Sequence, residues 1–238
     1  MLAVLVSVAA YRPSGPTPSP GAASSPAGTA TDPVTGTDWH VLFDGETTIG
    51  LRGYGQVTFP DASWQVREGL LRTVPGRAVD LVTDDTYGDF ELEFTWRATP
   101  GGNSGVLYRV VESAELSWTS GPEYQILDDI GHADGADPRT SAGALYGLLE
   151  PADDKVLAPV GDDNSGRIVV RGGHVEHWLN DRLLVEYDWR SPAMLARIAE
   201  SKFRDHPAFM TADNGHIVIQ HHGEEVAYGR IRVRVLDP

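Results

Sequence analysis

Proton transfer needs a carboxylate, an imidazole or a cation brought to one point, and this chain carries such groups where strands are expected. In GPEYQILDD, Glu123 and Gln125 fall on one face of an extended chain, with Tyr124, Ile126 and Asp128 on the other. In GHIVIQHHG, Gln220 and His222 share a face with His216 and Val218. Arg109 interrupts the apolar run VLYRVV, and His177 stands between Glu176 and Trp178. On a single strand such residues describe a solvated face; repeated over several strands they describe a wet, polar cleft. An Arg inside an apolar strand needs a carboxylate, because an unpaired buried charge is costly, and Glu123 and Asp128 are the candidates. Adjacent strand residues point opposite ways, so only one of His221 and His222 enters a given cleft.

Other chemistries lack their residues. The chain has no cysteine, which excludes disulfides, thiolate metal sites and a cysteine nucleophile. It has no G-x-S-x-G, Walker loop, H-E-x-x-H or dinucleotide fingerprint. The loop DIGHADGADPRT offers His132, Asp134 and Asp137, and oxygen-rich loops with glycine hold calcium. Its spacing does not match an EF-hand loop, and it reads as an acidic surface loop; no cofactor and no metal are expected.

The elements that position these residues are strands. Segment 89–97 (DFELEFTWR) puts Phe90, Leu92, Phe94 and Trp96 on one face and charged or polar residues on the other. Similar patterns occupy 105–111, 122–128, 167–171, 174–179, 183–188, 215–221 and 229–236. Gly172-Gly173 and Asn180-Asp181 suit tight hairpins, since both pairs tolerate positive φ. One helix is predicted, capped by Ser191, opened by Pro192 and running to about Lys202. No internal repeat is visible. The chain is therefore expected to be all-β, an antiparallel β-sandwich or jelly roll with one short late helix.

Length and charge agree with that class. The 238 residues, 41% hydrophobic, suffice for a real core, and 26 glycines with 16 prolines supply turns. A net charge of −15 argues against nucleic acid or an anionic membrane surface as partner. Residues 2–10 (LAVLVSVAA) fit the apolar part of an export signal, with Val8-Ala9-Ala10 as cleavage site, and predict a secreted, periplasmic or cell-surface protein. The stretch to residue 37 is a Pro/Gly/Ser/Ala/Thr-rich linker that cannot bury enough apolar area to fold. The folded domain is thus expected over 38–238. Residues 1–37 hold only Arg12 and Asp32, so the whole excess of negative charge belongs to that domain.

The ordered set WHVLFDGET, WQVREGLLRT, LVTDDTYGDFELEFTWRATPGGNSGVLYRV, GPEYQILDD, GALYGLLEP, VEHWLNDRLLVEYD, SKF and GHIVIQHHG resembles the 3-keto-disaccharide hydrolase domain family over nearly all of 38–238. The resemblance implies a concanavalin A-like sandwich that cleaves glycosides whose sugar a separate oxidoreductase has first oxidised at C3. A C3 ketone acidifies the C2 hydrogen, so a base can remove it, the enolate can expel the C1 substituent, and water can add back. Such a route needs a near-neutral base, a donor at the C3 oxygen and an acid for the leaving group. Ordinary glycosidases use two carboxylates instead. On this resemblance, Arg109 and Lys202 are candidate oxyanion stabilisers, and Glu123 and His222 are base and acid in an order the sequence leaves open. Asn103, Gln125, Asp128, Tyr146, His177 and Gln220 are candidate sugar contacts. Trp178 and Tyr108 could stack on a pyranose, against a competing fate in the core. The chain departs from the family's Gln-Asp-His-Gly at Gln220-His221-His222-Gly223, where His221 replaces the Asp. A non-catalytic carbohydrate-binding module on the same sandwich is the alternative.

Overall fold

A computed structural model describes residues 38–113 and 116–237. The expectations for residues 1–37 lie outside the described residues. Two antiparallel sheets pack face to face. The larger runs β11 (Arg182–Asp188), β10 (His174–Leu179), β9 (Asn164–Arg171), β6 (Phe90–Ala98), β13 (Val226–Val235), β4 (Leu70–Thr73) and β3 (Trp64–Arg67), with β1 (His40–Phe43) also paired to β13. The smaller runs β2 (Leu51–Gly53), β5 (Leu81–Thr83), β12 (His216–Ile219), β7 (Asn103–Val110) and β8 (Glu123–Leu127). This is an antiparallel β-sandwich of jelly-roll type with a single short α-helix among the described residues. No described helix is long and apolar enough to cross a membrane.

The alternation in β6 drives the packing. Phe90, Leu92, Phe94 and Trp96 are all buried in the core, each stabilising by about 1.5–3 kcal/mol for a fully buried large apolar side chain. Their outward neighbours Glu91 and Glu93 take Arg234 and Arg232 from the adjoining β13. Both predicted hairpins form. Gly172 and Gly173 turn β9 into β10 at φ 55° and 85°, and Asn180 and Asp181 turn β10 into β11 at 48° and 61°. Helix α1 (Pro192–Glu200) begins where Ser191 accepts the Met194 N–H, and it stops two residues before Lys202, which opens a 3-10 turn capped by Ser201.

One expected sugar contact, His177, belongs to the interior instead, and Tyr108 takes its alternative place in the core. His177 is fully buried between the sheets, with Nε2 2.8 Å from the Tyr108 hydroxyl and Nδ1 facing the Gly143 carbonyl. Burial pushes its pKa down to about 4, so it stays neutral at the end of a His177–Tyr108–Tyr187 hydrogen-bonded chain. Tyr108 thus packs in the core. Trp178 lies on the other side of the larger sheet, under the Arg167 guanidinium at 4.1 Å.

Candidate active site

The polar residues gather on the face of the smaller sheet turned away from the core. On β7, Ser104, Val106 and Tyr108 point inward, which leaves Asn103 and Gly105 outward. Register sets Leu107 opposite Glu123 and Gly105 opposite Gln125, and Gln220 follows β12 with its N–H on the Gly105 carbonyl. The loop after β8 returns to cover this face, with the Tyr146 N–H donating to the Glu123 carbonyl. The result is a cavity of about 150 Å³ lined by Asn103, Trp118, Glu123, Tyr146, Lys202, Phe203, Gln220 and His222. At roughly half the lower end of drug-sized pockets, it has room for one sugar ring.

Glu123 is 7% exposed and accepts no side-chain hydrogen bond from any described residue. Desolvation pushes its pKa up to about 8, against the opposing pull of the Lys202 ammonium. At neutral pH it holds its proton. Space for this carboxyl comes from Gly105, where a Cβ would collide with it. Lys202 reaches in from its 3-10 turn through an aromatic cage, with Nζ 4.3 Å from the Tyr146 ring centroid and 5.2 Å from those of Trp118 and Phe203. Burial lowers its pKa, while Glu123 and Asp134 raise it. Its ammonium donates to no described residue, so all three N–H groups remain for a ligand.

His222 has Nδ1 3.0 Å from a Glu224 carboxylate oxygen. The neutral ring therefore donates from Nδ1 and keeps its lone pair on Nε2. His221 points away, as strand alternation requires. It is 3% exposed, accepts the Gly223 N–H at Nδ1 and donates from Nε2 to the Val74 carbonyl. A fixed structural hydrogen-bonding role thus fills the position at which the resemblance leads one to expect Asp. Glu224, two residues past His222, supplies a carboxylate instead.

The structure brings Asn103, Glu123, Tyr146, Lys202, Gln220 and His222 together and leaves Arg109, Gln125 and Asp128 out. Arg109 pairs with neither expected carboxylate. It is an extra residue on β7, at φ 50°, where three steps from Leu107 to Val110 face two steps from Val218 to His216. That bulge throws its guanidinium toward the Gly88 carbonyl, Asp89 at 3.2 Å and the Trp189 ring at 4.6 Å. Gln125 is fully buried beneath the covering loop, with Nε2 donating to the Thr140 carbonyl. Asp128 accepts the N–H groups of Gly101, Ile130 and Gly131, which hold its carboxyl below the ordinary range and tie the loop down. Trp118, Phe203 and Glu224 were not anticipated. Trp118 sits in an isolated 3-10 turn (Ser117–Thr119) with no periodicity to mark it, whereas the His-Gly-Glu spacing of His222 and Glu224 was a readable signal.

One group of side chains approaches a metal-binding arrangement. Ligand atoms of His132, His222 and Glu224 lie within 4.8 Å of one another. Nδ1 of His132 accepts the Asp134 N–H at 3.1 Å, and its Nε2 lies 3.5 Å from the Asn103 amide nitrogen. In the same loop Asp137 is spent on Arg139, through both its carboxylate and the turn it caps.

A desolvated carboxyl, a caged ammonium and a carboxylate-held imidazole surround a sugar-sized cavity, and the relatives of this β-sandwich make it a glycoside-cleaving enzyme. The chain belongs to the 3-keto-alpha-glucoside-1,2-lyase-like domain family, whose model matches residues 38–234. It is 32% identical over 236 residues to the 3-keto-disaccharide hydrolase of Bacteroides thetaiotaomicron, covering 86% of this chain and 81% of that protein. Its fold is similar to that of a "putative glycosyl hydrolase" from Parabacteroides distasonis at TM-score 0.77 and 27% identity, over 84% of this chain and 94% of that one. A second structure of that description from the same organism matches at TM-score 0.65 and 26% identity, over 84% of this chain and all of that one.

Proposed function

We propose that the protein cleaves glycosides of sugars carrying a ketone at C3, by removing the C2 proton, eliminating the C1 substituent and adding water. The observation that carries this reading is the protonated, buried Glu123 beside an unspent Lys202 and a His222 whose Nδ1 is already committed to Glu224. His222 takes the C2 proton at Nε2, Lys202 donates to the developing enolate oxygen at C3, and Glu123 gives its proton to the departing oxygen. The carboxylate left on Glu123 then takes a proton from the water that adds at C1, and His222, whose half-exposed ring exchanges the abstracted proton with solvent, delivers a solvent proton to C2. Both groups end as they began. Asn103, Tyr146 and Gln220 hold the sugar hydroxyls.

This chemistry requires a second enzyme, an oxidoreductase that forms the C3 ketone. We assign the reaction to the outside of the cytoplasm on the apolar segment 2–10. The test is to incubate the protein with a chromogenic 3-keto-glucoside and with its unoxidised parent. Release from the keto form alone, lost in His222→Ala, supports the reading. Binding without release supports a carbohydrate-binding module instead, and release from the unoxidised parent a conventional glycosidase.

A further inference from the structure

A second cavity, of about 380 Å³, lies beside the first and shares Trp118, Gln220 and His222 with it. The added wall is formed by Tyr54, Ala78, Val79 and Leu116 with the Gln56 amide among them, above a floor of Asp80, Ser117 and His221. Leu116 is 50% exposed at its rim, an apolar side chain left in water beside a catalytic pocket.

The polar groups of that floor are already committed. Asp80 accepts the His221 N–H at 2.9 Å and the Ser117 hydroxyl at 2.6 Å. Both ring nitrogens of His221 are committed to Val74 and Gly223. A ligand there gains little from hydrogen bonds to the floor and most from apolar and aromatic contact with Trp118, Tyr54 and Leu116. A negatively charged group would meet the Asp80 carboxylate without a cation to offset it, because the one cation of the site, Lys202, lines the first cavity alone.

We infer that this second cavity holds the leaving group of the glycoside, and that it selects uncharged leaving groups with a flat apolar face. The inference rests on the reading above for the first cavity. It follows from position, since His222 and Trp118 border both spaces and the scissile C1–O bond must lie between them.

The test compares methyl, benzyl and 4-carboxybenzyl 3-keto-glucosides, whose alkoxide leaving groups differ little in basicity, so that contact rather than intrinsic reactivity sets the order. Both kcat/KM and the dissociation constant, from quenching of tryptophan fluorescence, are measured. The benzyl compound is expected to have a kcat/KM about tenfold higher and a dissociation constant about tenfold lower than the methyl compound, for a partly buried ring, and the carboxylate to lose that gain. Ala78→Trp, at an exposed position on the wall, fills the cavity, and Leu116→Asp charges its rim; each is expected to bring the benzyl-to-methyl ratio towards one. Equal binding of methyl and benzyl compounds, or a ratio unmoved by both variants, overturns the inference. Tighter benzyl binding without turnover of any keto-glucoside keeps the cavity assignment and sinks the elimination reading, so the two failures are distinguishable.

Discussion

Replacing Glu123 by Gln is expected to stabilise the protein in mild base while removing its activity. The sign follows from linkage. Burial raises the carboxyl from its ordinary value of 4.5 to about 8. The stability tied to the neutral form is therefore fully present below pH 4.5 and is lost as pH rises through 8, because the unfolded chain ionises freely and the folded one does not. Some 3.5 units at 1.36 kcal/mol each set an upper bound of about 5 kcal/mol, and relaxation with water entry reduces the penalty by about half. Gln keeps the shape and carries no such penalty. Urea unfolding followed by tryptophan fluorescence is expected to show the variant about 2–4 kcal/mol more stable than the parent at pH 8 and equal to it at pH 4. The parent's kcat/KM is expected to fall above pH 8, as the acid loses its proton. A stability difference that does not change with pH would refute the claim that Glu123 is a desolvated acid, and its proton could not then serve the leaving group.

Other predictions concern what surrounds that carboxyl. Gly105→Ala places a methyl group against the Glu123 carboxyl and is expected to cut kcat at least about tenfold through misplacement of the acid, with the fold retained by circular dichroism. Arg109→Met leaves Asp89 unpaired in a mostly buried site and is expected to destabilise by about 3–5 kcal/mol in urea, while kcat at a permissive temperature stays within about twofold of the parent's. Overnight dialysis against EDTA is expected to leave the release rate unchanged, since the proposed steps use only Glu123, Lys202 and His222; a loss of activity would point to a cation at His132, His222 and Glu224.

The fold was legible where alternation is long. Nine residues of β6 state their inner and outer faces outright, and paired positive-φ residues mark both hairpins of the β9–β11 meander. Strands β1 to β5 are three or four residues each, too short for a period of two to stand out, and they take their place from pairing with β13, β12 and one another. Within the site, Glu123 and His222 were visible because alternation singled out one face of each stretch. Arg109 was misplaced for the same reason, since parity assigns it to the face of Asn103 and Gly105 and one bulge residue cancels parity. His177 shows a different limit. A histidine between Glu176 and Trp178 looks solvent-facing, and only the two tyrosines brought in from β7 and β11 make a buried imidazole affordable. Trp118 gave no local signal, because its importance comes from what the fold places on both sides of it.

The central claim is that the bond at C1 breaks only after a proton leaves C2. The direct measurement is to run the cleavage of a 3-keto-glucoside in D2O and examine the released keto sugar by NMR at early times, against an enzyme-free control. Deuterium at C2 of the product, appearing with each turnover and absent when His222→Ala is used, is the expected result. Cleavage that leaves the C2 hydrogen in place would contradict the account and return the site to direct displacement at C1.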